Sequence, residues 1–115
     1  MTLGEAQREF AFHVTILIRH IYALGYEVTF GDAYRDPRSH GAMGVKGAYG
    51  RSRSAHKQRL AVDLNLFVDG QYLPHTWQHR QFGEYWKALH RDNRWGGDFR
   101  REDGNHYSRH FDGIE

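Results

Sequence analysis

Residues 54–64 read Ser54-Ala55-His56-Lys57-Gln58-Arg59-Leu60-Ala61-Val62-Asp63-Leu64, and forty residues beyond Asp63 the chain reads Asp103-Gly104-Asn105-His106-Tyr107. The first stretch runs on through Asn65-Leu66-Phe67-Val68, and its alternation predicts a strand. Ala61, Asp63, Asn65 and Phe67 fall on one face of that strand, and Val62, Leu64, Leu66 and Val68 on the other. Asp63 therefore points away from the aliphatic layer. A carboxylate in the middle of such a strand is costly unless it is paired, hydrogen-bonded or on a metal. Asp63 alone reads as a solvated strand face, but its company changes that reading. His56, Asp63 and His106 supply two imidazoles and a carboxylate, and Asp103 adds a second carboxylate three residues before the last imidazole. This is the inventory of a catalytic zinc site with an open fourth position and a general base beside it. His56 and Asp63 are too far apart for one helical turn and have the wrong parity for one strand face. A loop residue and a strand residue converging on one ion fit better.

Working outward, Thr2-Leu3-Gly4-Glu5 has the form of a capping box, and Phe10, Val14, Leu17, Ile21 and Leu24 recur at helical spacing until Gly25. An amphipathic helix over residues 3–24 is expected. His13 and His20 lie on it seven apart, with no third ligand type beside them, and read as polar-edge or core histidines. Residues 26–35 read as a strand closed by Asp36-Pro37. From Arg38 to Arg53 the chain is rich in Gly and Ser without periodicity, so residues 38–56 are expected to form a long loop over the site. Its His40 reads as a solvated residue. Asp69-Gly70 is a hairpin turn signal, returning through Gln71-Tyr72-Leu73. Residues 77–91 read as a helix whose apolar stripe is Phe82, Tyr85, Trp86 and Leu89. His75 and His79 are four apart near its start, but Pro74 and Thr76 place the helix boundary there, so the two lack a common face. His110 shares a side with His106 in an extended segment and is the reserve third ligand. His106 is preferred, because Asp103 precedes it by three and the Gly104-Asn105 turn can aim both side chains at one ion.

At 115 residues the chain has the size of one domain, able to bury about two thirds of its unfolded surface. There is no cysteine, so any metal must be held by nitrogen and oxygen ligands. Sixteen Lys and Arg against fourteen acids leave a net charge of +2, too slight to argue for a nucleic-acid partner. Lys46, Arg51, Arg53, Lys57 and Arg59, interleaved with Gly, Ser and Tyr49, read first as a solvated loop and second as attraction to an anionic cell-wall polymer. Residues 1–9 lack a basic region followed by an apolar core, and no segment approaches the roughly 20 apolar residues of a membrane span. Neither a secretory signal nor a transmembrane segment is expected.

Ser54-x-His56 with Asp63, followed by Asp103-x-x-His106, resembles the zinc peptidases of the D-alanyl-D-alanine carboxypeptidase superfamily, which also holds vancomycin-resistance D,D-dipeptidases and the L-alanyl-D-glutamate endolysins of bacteriophages. Val28-Thr29-Phe30-Gly31-Asp32-Ala33-Tyr34-Arg35 is similar to the strand that carries the family's substrate-binding arginine, and Trp95-Gly96-Gly97-Asp98-Phe99 to the segment before its last histidine. The resemblance implies one zinc per chain on His56, Asp63 and His106, with Asp103 as catalytic base and Arg35 and Ser54 on the substrate. The Asp103 position is Glu in many relatives and Asp in the endolysin branch.

Separate helix and strand blocks without βαβ spacing predict an α+β domain over residues 1–115, a small mostly antiparallel sheet with two main helices packed on it and the zinc on the sheet. The expected activity is hydrolysis of a peptide bond in peptidoglycan. Similarity to the endolysin branch implies a phage or prophage L-alanyl-D-glutamate endopeptidase, monomeric, made in the host cytoplasm and released to the wall by a membrane-permeabilising, holin-like partner. A D-alanyl-D-alanine carboxypeptidase or dipeptidase would use the same residues. A non-catalytic zinc-stabilised binding module, as in the hedgehog signalling domain that resembles this superfamily, is the third reading. Asp103 argues against it, because a structural site needs no base.

Overall fold

The computed structural model describes residues 1–36, 38, 41–44 and 53–115. Helix α1 spans Leu3–Ala23. It starts where the sequence places it: Glu5 N donates to Thr2 Oγ1 at 3.1 Å while Thr2 N donates to Glu5 Oε1 at 2.9 Å, closing the capping box. Ala6, Phe10, Leu17 and Ile21 form its buried face.

Strand β1 (Tyr26–Phe30) pairs antiparallel with β2 (Ala61–Val68). The strand expected over residues 26–35 is thus shorter. Past Phe30 the chain keeps the bonds Gly31 N to Asp63 O at 2.8 Å and Asp63 N to Asp32 O at 2.7 Å before leaving the sheet toward His56. Asp69 and Gly70, both at positive φ, turn β2 into β3 (Gln71–Leu73). Helix α2 spans Thr76–Leu89 with His75 as N-cap, a residue earlier at its start and two earlier at its end than the periodicity suggested. Strands β4 (Asn93–Trp95) and β5 (His106–Arg109) complete the sheet in the order β1-β2-β5-β4, with β3 also paired to β2. β5 pairs with the start of β2, so that Asp63 and His106 stand directly opposite one another.

The architecture is α+β, two helices packed on a small antiparallel sheet. Val62, Leu64 and Leu66 of β2 join Phe10, Leu17, Ile21, Phe82, Trp86 and Tyr107 in one core. Burying each of these larger side chains contributes roughly 1.5–3 kcal/mol. Asp63, Asn65 and Phe67 look out from the opposite face, as their alternation with the buried positions requires. No helix among the described residues is long and apolar enough to cross a membrane.

The other histidines of the helices have structural partners. His20 stacks on Tyr85 with ring centroids 3.6 Å apart, and His13 Nδ1 accepts a hydrogen bond from the buried Arg109 guanidinium at 2.9 Å. His79 is buried beside Tyr107, with Nδ1 2.9 Å from its hydroxyl, while His75 is exposed, so the pair shares no face. Among the described residues of the basic cluster, Arg53 and Arg59 are exposed but Lys57 is not. Lys57 is buried and donates to Ala42 O at 3.1 Å, and the Arg59 guanidinium lies 4.0 Å over the Tyr34 ring. Its Lys46, Tyr49 and Arg51, with His40 and much of the expected 38–56 loop, lie outside the described residues.

Candidate metal centre

Three chain segments build the site on the outward face of the sheet. His56 sits on a one-turn 3-10 helix, Ala55–Gln58, whose N-cap is Ser54: His56 N donates to Ser54 Oγ at 3.2 Å. Arg59 then takes a left-handed conformation, and the chain enters β2 to deliver Asp63. His106 opens β5 directly after a turn in which His106 N donates to Asp103 O at 3.1 Å. The turn is held close by Gly96, whose carbonyl accepts from Asp103 N at 2.9 Å. A Cβ at residue 96 would lie 2.1 Å from Asp103 O and 2.8 Å from His106 Cβ, so only glycine permits this approach.

One nitrogen atom each of His56 and His106 and an oxygen atom of Asp63 all lie within 4.8 Å of one another. His56 Nε2 is 3.2 Å and His106 Nδ1 3.6 Å from Asp63 Oδ1. Tetrahedral zinc with bonds near ~2.0–2.1 Å separates its ligand atoms by about 3.3 Å, close to these values. The tautomers point the same way. His56 Nδ1 is 3.2 Å from Ala33 O, and a carbonyl only accepts, so the ring proton is on Nδ1 and Nε2 is bare. His106 Nε2 donates to Glu115 O at 3.0 Å, which leaves Nδ1 bare. His56 Nε2 and Asp63 Oδ1 are buried without a hydrogen-bond partner. Two acceptors facing each other at 3.2 Å in the protein interior call for a positive charge between them. Burial opposes ionisation of Asp63, but the imidazoles of His106 and His56 beside it favour the charged form and lower its carboxyl to about 2. With both rings neutral in the tautomers above, a divalent cation is what supplies the positive charge. The donor set, nitrogen and carboxylate oxygen without thiolate, suits zinc.

Around this group lies a cavity of about 120 Å³ lined by Arg35, Arg53, Ser54, His56, Phe99, Asp103, His106 and Glu115. A family model described as D-alanyl-D-alanine carboxypeptidase matches residues 48–109, more than half of the chain. The chain belongs to the D-alanyl-D-alanine carboxypeptidase family. It is therefore a peptidase. The match takes in Ser54, His56, Asp63, Asp103 and His106, and Arg35 precedes it. No curated protein matches the chain.

Each predicted site residue of this D-alanyl-D-alanine carboxypeptidase family member comes to the cavity or to the metal-ligating group. Asp103 is half exposed, with Oδ2 4.0 Å from His106 Nδ1. Arg35 is held by Asp32 Oδ2 at 3.2 Å from Nε and by Ser54 Oγ at 3.1 Å, and its main-chain N donates to His56 O at 3.1 Å. It lies on an irregular segment rather than on a strand. His110, the reserve ligand, is turned away: its Nδ1 is 3.1 Å from Glu115 Oε2. Asp32, Phe99, Glu115 and the Ala33 carbonyl were not anticipated. The Asp112-Gly113 pair was the available signal for Glu115, since both residues adopt positive φ and turn the chain back beside His106.

Proposed function

We propose that this peptidase is zinc-dependent, that His56, Asp63 and His106 hold one zinc, and that its substrate is the peptide of bacterial peptidoglycan. The observation that carries the reading is the pair of buried, bare acceptors, His56 Nε2 and Asp63 Oδ1, facing each other at 3.2 Å with His106 Nδ1 beside them. Bound zinc supplies Lewis-acid chemistry, acidifying water and polarising a scissile carbonyl. Asp103, at the rim of the cavity, accepts the proton of the attacking water on a carboxylate oxygen and returns it to the leaving amine. Arg35, oriented by Asp32 and Ser54, lines the cavity and there meets a substrate carboxylate or the developing oxyanion. Asp103 lining the cavity favours an enzyme over a zinc-stabilised binding module, which needs no base.

Within that class we assign the cut to the bond between L-alanine and D-glutamate, by a phage or prophage endolysin. Asp at position 103 supports this branch. The enzyme would act as a monomeric single catalytic domain, made in the host cytoplasm and reaching the wall through a membrane-permeabilising, holin-like partner. A second reading, a D-alanyl-D-alanine carboxypeptidase or dipeptidase, has the description of the matched family in its favour, and Arg35 and Arg53 beside the cavity suit a free carboxylate. Mass spectrometry of purified peptidoglycan fragments after incubation separates the two. New L-alanine carboxyl ends support the endolysin, loss of D-alanine supports the second reading, and intact fragments contradict both.

A further inference from the structure

Past β5 the chain makes a tight reversal. Asp112 and Gly113 adopt positive φ, Phe111 and Ile114 exchange main-chain hydrogen bonds of 2.9 and 3.0 Å, and Ile114 is buried. Glu115 is thereby laid along the start of β5. Its main-chain oxygen accepts from His106 Nε2 at 3.0 Å and from Ser108 Oγ at 2.9 Å. Its carboxylate is pinned from two sides, with Oε2 3.2 Å from Arg94 Nε and 3.1 Å from His110 Nδ1.

An imidazole that ligates a metal must offer one specific nitrogen bare, and the partner of its other nitrogen decides which one. We infer that Glu115 is a positioning residue: pinned by Arg94 and His110, its main-chain oxygen keeps the His106 proton on Nε2 and leaves Nδ1 bare toward Asp63 and His56. The inference rests on the reading of His106 as a ligand, and it gives His110 a role that is not ligation. It is the counterpart of the Ala33 carbonyl at His56 Nδ1, except that the holding group is set by side-chain anchors that can be removed without touching any ligand. Both anchors are partly exposed, so their loss leaves the core intact.

Long-range proton–nitrogen NMR correlation of the metal-free protein reads the His106 tautomer directly, and competition with a chromophoric chelator reads zinc affinity. The wild type is expected to carry the His106 proton on Nε2. Arg94→Ala/His110→Ala should give a mixed tautomer and zinc binding weakened about 10- to 100-fold, the usual effect of losing an outer partner of a ligand. Arg94→Lys/His110→Ala, which keeps a cation for Glu115, should recover part of both. Glu115→Ala removes the same anchoring from the other side and should reproduce the double variant. A merely structural contact would lower stability without moving the tautomer. A wild-type proton on Nδ1, or an unchanged tautomer and affinity in both the double variant and Glu115→Ala, would overturn the inference. Wild-type protein with the expected tautomer but no zinc binding would instead refute the functional reading.

Discussion

Acid should destabilise this protein through His79, a residue the catalytic chemistry does not use. Its imidazole is buried in the core beside Tyr107, and burial pushes its pKa down from 6.5 to about 4. The folded-state pKa is lowered, so between these two values the unfolded chain binds a proton that the folded chain does not. Stability then falls as pH drops through the unfolded value, and the loss is complete only below the folded one. Going from about pH 7 to about pH 5 should cost roughly 2 kcal/mol at this group. His79→Phe removes the group. At neutral pH the variant should itself be less stable by about 1–3 kcal/mol, because the Tyr107 hydroxyl loses its partner at 2.9 Å. Urea unfolding of both proteins in a chelator, at the two pH values, isolates the effect from metal binding and from every other titrating group. The stability gap between wild type and variant should narrow by about 2 kcal/mol on acidification. A gap that stays constant would refute the assignment of His79 as a neutral core histidine.

Three further substitutions probe the site. Asp103→Asn should retain zinc by elemental analysis while turnover falls by roughly 10²–10⁴, the contribution of a positioned general base; loss of zinc would make Asp103 a ligand instead. Arg35→Lys should keep fold and zinc but lose about 10- to 100-fold in kcat/KM, because the planar fork that Asp32 and Ser54 orient is gone, and wild-type turnover would remove Arg35 from the site. Gly96→Ala should cost about 1–3 kcal/mol by thermal unfolding and weaken zinc binding, since the new methyl displaces the Asp103–His106 turn; a stable variant with full zinc affinity would show that the turn does not depend on this approach.

What the chain discloses before folding follows the range of the interactions involved. α1, β2 and the Asp69-Gly70 hairpin are local patterns: a cap, an alternation and a turn pair, each complete within a few residues. The outward aim of Asp63 follows from that alternation. β1 ends five residues before its sequence pattern does, because Ala33, Tyr34 and Arg35 look like a strand whereas the chain there departs to support His56. β4 has only three residues and is held by tertiary bonds, Asn93 Nδ2 to Trp86 O at 2.9 Å and Arg109 Nε to Asn93 Oδ1 at 3.0 Å, which leave no periodic trace. The groups bonded to the outer nitrogens of His56 and His106 are main-chain oxygens of Ala33 and Glu115, which no side-chain pattern marks in a sequence. Lys57 carries a charge that suggested solvent, yet its stem is buried and its ammonium reaches the Ala42 carbonyl.

The central claim is that His56, Asp63 and His106 hold a catalytic zinc. Elemental analysis paired with a peptidoglycan-fragment assay tests it most directly. One zinc per chain is expected in the wild type and in His110→Ala, with zinc and activity both lost in His106→Ala, and with chelation abolishing activity that added zinc restores. Full activity in protein shown to be metal-free, or zinc retained in His106→Ala and lost in His110→Ala, would contradict the account.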